Sequence, residues 1–77
     1  MIDQTALVAL IRTALPDAEV EATDLTGTMD HYDIKIRSRA FAGKSLLDQH
    51  RLIYGVLEPA RQDGRIHAIQ LKTEILN

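Results

Sequence analysis

The sequence contains no cysteine. It therefore has neither a disulfide framework nor a thiolate metal site, and any soft metal ligand must come from another molecule. No apolar run approaches the roughly 18 residues that span a bilayer, and the N-terminus has no basic segment leading into the apolar core of a secretory leader. A soluble, cytoplasmic protein without a membrane partner is the expectation. No linker or low-complexity tract interrupts the 77 residues, so a single domain over 1–77 is expected. At this size folding hides only about 60% of the unfolded surface, which leaves little room for an enzyme cleft. An excess of base is missing too: the formal net charge is −2, which argues against nucleic-acid binding driven by bulk electrostatics.

A catalytic set is also absent. No serine or threonine shows a local base, and without cysteine nucleophilic catalysis has no obvious agent. Gly43-Lys44-Ser45 imitates the end of a phosphate-binding loop, but Ser38 stands where the first glycine belongs, and the backbone could not wrap phosphates closely there. The expectation is a protein with no turnover of its own.

What is present reads as helix, strand, strand, helix, strand. Asp3 can cap a first helix to about Leu15, with Ile2 and Leu7 as a hydrophobic staple and Leu7, Val8, Ile11, Ala14 and Leu15 on one face. Pro16 stops it. Ala18 to Asp24 alternates small apolar and polar residues, as a half-buried strand does. Tyr32, Ile34 and Ile36 alternate with Asp33, Lys35 and Arg37, so a one-residue slip would expose the whole apolar set. Ser45 and Asp48 then form a capping-box-like pair, and Leu46, Leu47, His50, Ile53, Tyr54 and Leu57 recur at helical spacing. Pro59 predicts a kink, or a break into a second short helix near Glu58 to Gln62. Asp63 and Gly64 make a turn before a last strand over Ile66 to Thr73. The long connection into that strand suits a helical crossover and hence a mixed sheet.

Charge is unevenly spread. Acids dominate from Asp17 to Asp33, whereas Lys35, Arg37, Arg39, Lys44 and Arg51 follow with only Asp48 opposing them. The middle of the chain thus offers candidate partner or nucleic-acid contacts in Lys44, Arg51, Arg37 and Arg39. The ordinary alternative is a solvated strand and helix face.

The histidines point elsewhere. His31 stands where a loop enters the second strand and His67 where the third begins, so the two converge if those strand ends are adjacent. Neutral imidazole suits zinc, iron and copper. Two histidines alone leave an incomplete site, and hydrogen-bonded structural histidines are the competing explanation. His50, at helical spacing from Leu46 and Tyr54, fits a packing or capping role.

Several separated segments together resemble the BolA family of small proteins: Phe41, Gly43 and Lys44; Gln49-His50-Arg51; Ile66-His67-Ala68 before Leu71-Lys72-Thr73; and Asp30-His31-Tyr32. The resemblance implies an α+β, type II KH-like fold with a three-stranded mixed sheet. It also implies a monothiol glutaredoxin as partner. In such complexes the glutaredoxin and glutathione give sulfur ligands to a shared 2Fe-2S cluster and the BolA-like protein gives the rest, so no cofactor is expected for the isolated chain. His67 matches the family's C-terminal histidine and is the leading metal-ligand candidate. The second ligand in relatives is a cysteine or histidine in the loop before the second strand. Here that loop, Leu25 to Asp30, has neither, and His31 at its end is the nearest substitute. Imidazole in place of thiolate removes negative charge from a cluster and raises its potential.

The function so implied is an iron–sulfur trafficking or iron-status adaptor. The alternative is a KH-like nucleic-acid-binding regulator of stress response and cell morphology with DNA as partner. Gly43-Lys44-Ser45-Leu46 lacks the second glycine of the KH clamp. The free chain is open between a monomer and a weak homodimer.

Overall fold

Asp3 opens the first helix, α1 (Gln4–Ala14), by accepting a 2.8 Å hydrogen bond from the Ala6 amide. Ile2 and Leu7 are both buried across this cap, the arrangement of a hydrophobic staple. The buried stripe continues through Ile11 to Leu15, with Leu10 against its flank, while Ala14 is exposed. The computed structural model describes residues 1–76; Asn77 lies outside the described residues.

Strands β1 (Glu19–Asp24) and β2 (His31–Ser38) pair antiparallel, in register from Glu19 opposite Arg37 to Asp24 opposite Tyr32. The final strand, β3 (Ala68–Ile75), runs parallel to β2, from His31 opposite Ala68 to Ser38 opposite Ile75. The result is an α+β fold with a mixed sheet in the order β1-β2-β3. Alternation along β2 divides its side chains as the sequence anticipates. Tyr32, Ile34 and Ile36 join Leu7, Ile11, Ile53 and Leu57 in the core, and Asp33, Lys35 and Arg37 occupy the open face. The Tyr32 hydroxyl donates to the Ile2 carbonyl at 2.6 Å, tying the sheet to the start of α1.

A single 3₁₀ turn, Arg39–Phe41, follows β2 and buries the Phe41 ring completely. Asp17 secures this corner: it accepts from the Ser38 hydroxyl and from the Arg39 amide, each at 2.8 Å. The Arg39 amide, then the Ser38 hydroxyl, hold the Asp17 carboxyl below its ordinary value of 3.8. A depressed folded-state value adds stability above the unfolded value, and that stability is lost as pH falls through the folded value. Asp17→Asn is therefore expected to flatten the acid limb of a stability–pH profile below about pH 4, read by urea unfolding, and to leave its neutral shape unchanged.

The second helix, α2 (Leu46–Gln62), starts at Ser45, whose hydroxyl accepts from the Asp48 amide at 3.1 Å. Its buried face differs from the expected one. Leu46 and Leu47 are 62% and 59% exposed, and the buried positions are Gln49, Ile53, Leu57 and Ala60. Gln49 enters the interior because both ends of its amide are used. Its oxygen accepts from the Thr73 hydroxyl at 2.6 Å, and its nitrogen donates to the Lys44 carbonyl at 3.0 Å. Gln49→Ala strands both partners and is expected to cost about 1–3 kcal/mol in denaturant unfolding.

Of the two expected outcomes at Pro59, a kink or a break, the break into a second short helix does not occur: α2 is one helix through Gln62. Gly55, whose carbonyl loses its helical donor to the proline, is exposed, as is Pro59 itself. Water can satisfy that carbonyl, so the missing hydrogen bond is not a buried one.

Candidate metal centre

Because β2 and β3 are parallel, their N-terminal ends lie at the same edge of the sheet. The Asp30 carbonyl accepts from both the His67 amide (2.8 Å) and the Ala68 amide (3.2 Å). This bifurcated contact sets where β3 begins, so the strand covers Ala68–Ile75 rather than Ile66–Thr73. Ile66 is buried and its amide bonds the Ala60 carbonyl, which anchors the segment to α2. His67, one residue later, shares the phase of Ile69 and Leu71 but stands at the rim, in solvent. Gly64 makes the preceding turn at φ +82°, a conformation that side chains rarely adopt, and a Cβ there would lie 3.9 Å from His67 Nε2.

The expected convergence is present. The His31 and His67 rings meet edge to face with centroids 5.9 Å apart. Between them sits Asp30, a residue to which sequence reasoning assigned no role. One carboxylate oxygen is 2.7 Å from His31 Nδ1 and the other 3.4 Å from His67 Nδ1. The acid side chain is 16% exposed, against 39% and 58% for the two imidazoles. Hydrogen bonds from the Thr28 hydroxyl and then His31 hold the Asp30 carboxyl below the usual carboxylate range. The signal was the adjacent Asp30-His31 pair, whose value depends on His67 arriving from 36 residues away.

The loop that delivers Asp30 is organised by another acid. The Asp24 carboxylate accepts from the amides of Thr26, Gly27 and Met29 at 3.3, 3.0 and 3.1 Å. Met29 is held at φ +59°, and its carbonyl accepts from the Ile2 amide. Beside His31 the loop leaves an apolar notch of about 170 Å³, with Leu25 and Thr26 on one side and Ala68 and Ile69 on the other.

Among the described residues, no three His, Cys, Asp or Glu side chains gather in an arrangement that could hold a metal ion. The chain thus offers two imidazoles side by side, His31 half-buried and His67 exposed. Their chemistry suits iron or zinc, and their number makes half a site. The candidate basic contacts lie on different elements. Arg37 lies on the open sheet face, 3.1 Å from Glu19 and 3.5 Å from Glu74. Arg51 is on α2, in the opposite layer, 3.9 Å from Asp48. Arg39 opens the 3₁₀ turn and Lys44 follows it, at the end of the sheet away from the histidines. No helix of the described residues is long and apolar enough to cross a membrane.

A family model described as BolA-like protein matches residues 11–76. The chain belongs to the BolA family. An uncharacterized protein of Rickettsia prowazekii is 32% identical over 72 residues, covering 94% of this chain and 92% of that protein. Among solved structures, the BolA domain of SufE1 from Arabidopsis thaliana superposes with a TM-score of 0.82 at 27% identity, over 97% of this chain and 95% of that one. A BolA protein from Ehrlichia chaffeensis is 46% identical, with a TM-score of 0.60 over 99% and 95% of the two chains. In this BolA chain Gln49 is the buried bridge from α2 to β3.

Proposed function

We propose that this BolA-family chain is an iron–sulfur trafficking or iron-status adaptor that joins a monothiol glutaredoxin and glutathione around a shared 2Fe-2S cluster. His67 and His31 are its ligands to that cluster. The observation that carries this reading is the pair of rings, 5.9 Å apart on an exposed rim. Two imidazoles cannot complete a four-coordinate site, and a chain without cysteine needs its sulfur ligands from elsewhere. An open, half-equipped rim is what a shared site requires of each contributor. The cluster, when bound, supplies one-electron redox chemistry, with histidine ligation setting a higher potential than an all-thiolate set. The chain's own residues hold two ligands in place and offer the apolar notch beside His31 to a side chain of the partner.

The test is reconstitution. Purified protein is mixed with a monothiol glutaredoxin, glutathione, iron and sulfide, and visible absorption and circular dichroism are recorded. The expected result is a spectrum distinct from that of the glutaredoxin-only cluster. If adding this chain leaves that spectrum unchanged, the adaptor function is wrong.

A further inference from the structure

We infer that Asp30 is the positioning residue of the two-histidine site, fixing the proton of His31 on Nδ1 so that its Nε2 carries the free lone pair, and setting its second oxygen beside His67. The inference concerns the isolated chain, and rests on the adaptor reading only for what the lone pairs are used for.

Geometry carries it. An ionised carboxylate has no proton to donate, so an imidazole nitrogen 2.7 Å from it must be the donor. In a neutral imidazole the other nitrogen is then the bare one. His31 Nδ1 meets this condition with one oxygen of Asp30, and His67 Nδ1 faces the second oxygen at 3.4 Å. The same residue fixes the two backbones, because its carbonyl binds the His67 and Ala68 amides. Thr28 donates its hydroxyl to the Asp30 oxygen that faces His31, so the carboxylate is itself held from behind. A carboxylate behind a histidine selects the tautomer, orients the ring and makes the ligating nitrogen more basic. Asp30 does this for His31, and its charge, 3.4 Å from His67 Nδ1, also returns negative charge to a site in which imidazole replaces thiolate. The two histidines should differ: His31, with the shorter contact and lower exposure, is locked, and His67, 58% exposed, keeps more freedom.

The experiment reads tautomers directly, with no metal, glutaredoxin or glutathione present. Long-range ¹H–¹⁵N correlation spectra of the ¹⁵N-labelled chain are recorded at about pH 8, above the ordinary imidazole range. Wild type, Asp30→Ala and Asp30→Asn are compared, with backbone dispersion as the control for folding. Wild-type His31 is expected to show a protonated Nδ1 and a bare Nε2. Asp30→Ala should shift its tautomer ratio toward Nε2–H by roughly tenfold, the effect of one charge-assisted hydrogen bond. His67 should shift less. Asparagine keeps an acceptor without the charge, so Asp30→Asn should fall between; it decides the matter if the alanine variant does not fold. A wild-type His31 protonated on Nε2, or a ratio unmoved in the folded variant, overturns the inference. Failure of the adaptor reading would show separately, as a wild-type reconstitution with no spectral change, and would leave the tautomer result standing.

Discussion

Truncating Phe41 to alanine is expected to remove about 3–5 kcal/mol of folding stability, the usual cost of emptying a phenylalanine site in a packed core. A chain of 77 residues has only about 4–12 kcal/mol in total. The variant should therefore be partly unfolded in water, or melt far below wild type in a thermal scan. The ring is fully buried in the single turn between β2 and α2, where it joins the core of Ile34, Ile36, Ile53 and Leu57. Leu47→Ala is the matched control. Leu47 is 59% exposed, and its removal should change stability by no more than about 0.5 kcal/mol. Equal losses at the two positions would refute the packing of α2 described above.

The second large effect is functional. His67→Ala is expected to abolish the change that this chain produces in the visible circular dichroism of a glutaredoxin-bound cluster, leaving the glutaredoxin-only spectrum. The same substitution should leave denaturant unfolding within about 0.5 kcal/mol of wild type, because the side chain sits at a solvent-facing rim and is 58% exposed. That separation distinguishes a ligand from a structural histidine, for which the fold would weaken and the spectrum would not. His31→Ala should give an altered spectrum rather than none, since the chain would still present His67. A His67→Ala variant with the wild-type spectrum would remove His67 from the site.

The sequence was most legible where one physical rule acted alone. The alternation of Tyr32, Ile34 and Ile36 with charged neighbours defines β2 and its register, and Asp3 and Ser45 mark both helix starts because a side-chain oxygen ahead of an apolar run has few other uses. Hydropathy misled at α2. Leu46 and Leu47 fit a helical stripe by type but are exposed, and the position that turns inward is polar Gln49, satisfied by Thr73 from 24 residues away and by Lys44 just before the helix. At Pro59 the helix continues without a break because the cost depends on whether the orphaned carbonyl is dry, and Gly55 is exposed. At the site, His31 and His67 could be named from the sequence because each sits at a strand start and His67 matches the BolA pattern, while their adjacency depends on the parallel pairing of β2 and β3. Asp30 could not, because its carboxylate gains a role only when the register brings His67 beside it.

Ligation itself is read most directly from the unpaired electron of the cluster. The complex is assembled from ¹⁵N-histidine-labelled chain and unlabelled glutaredoxin and glutathione, reduced by one electron, and examined by pulsed electron paramagnetic resonance. Two nitrogen couplings of directly coordinated strength are expected, with one lost in His31→Ala and both lost in His67→Ala. A reduced cluster with no strongly coupled labelled nitrogen would contradict the assignment of these histidines as its ligands.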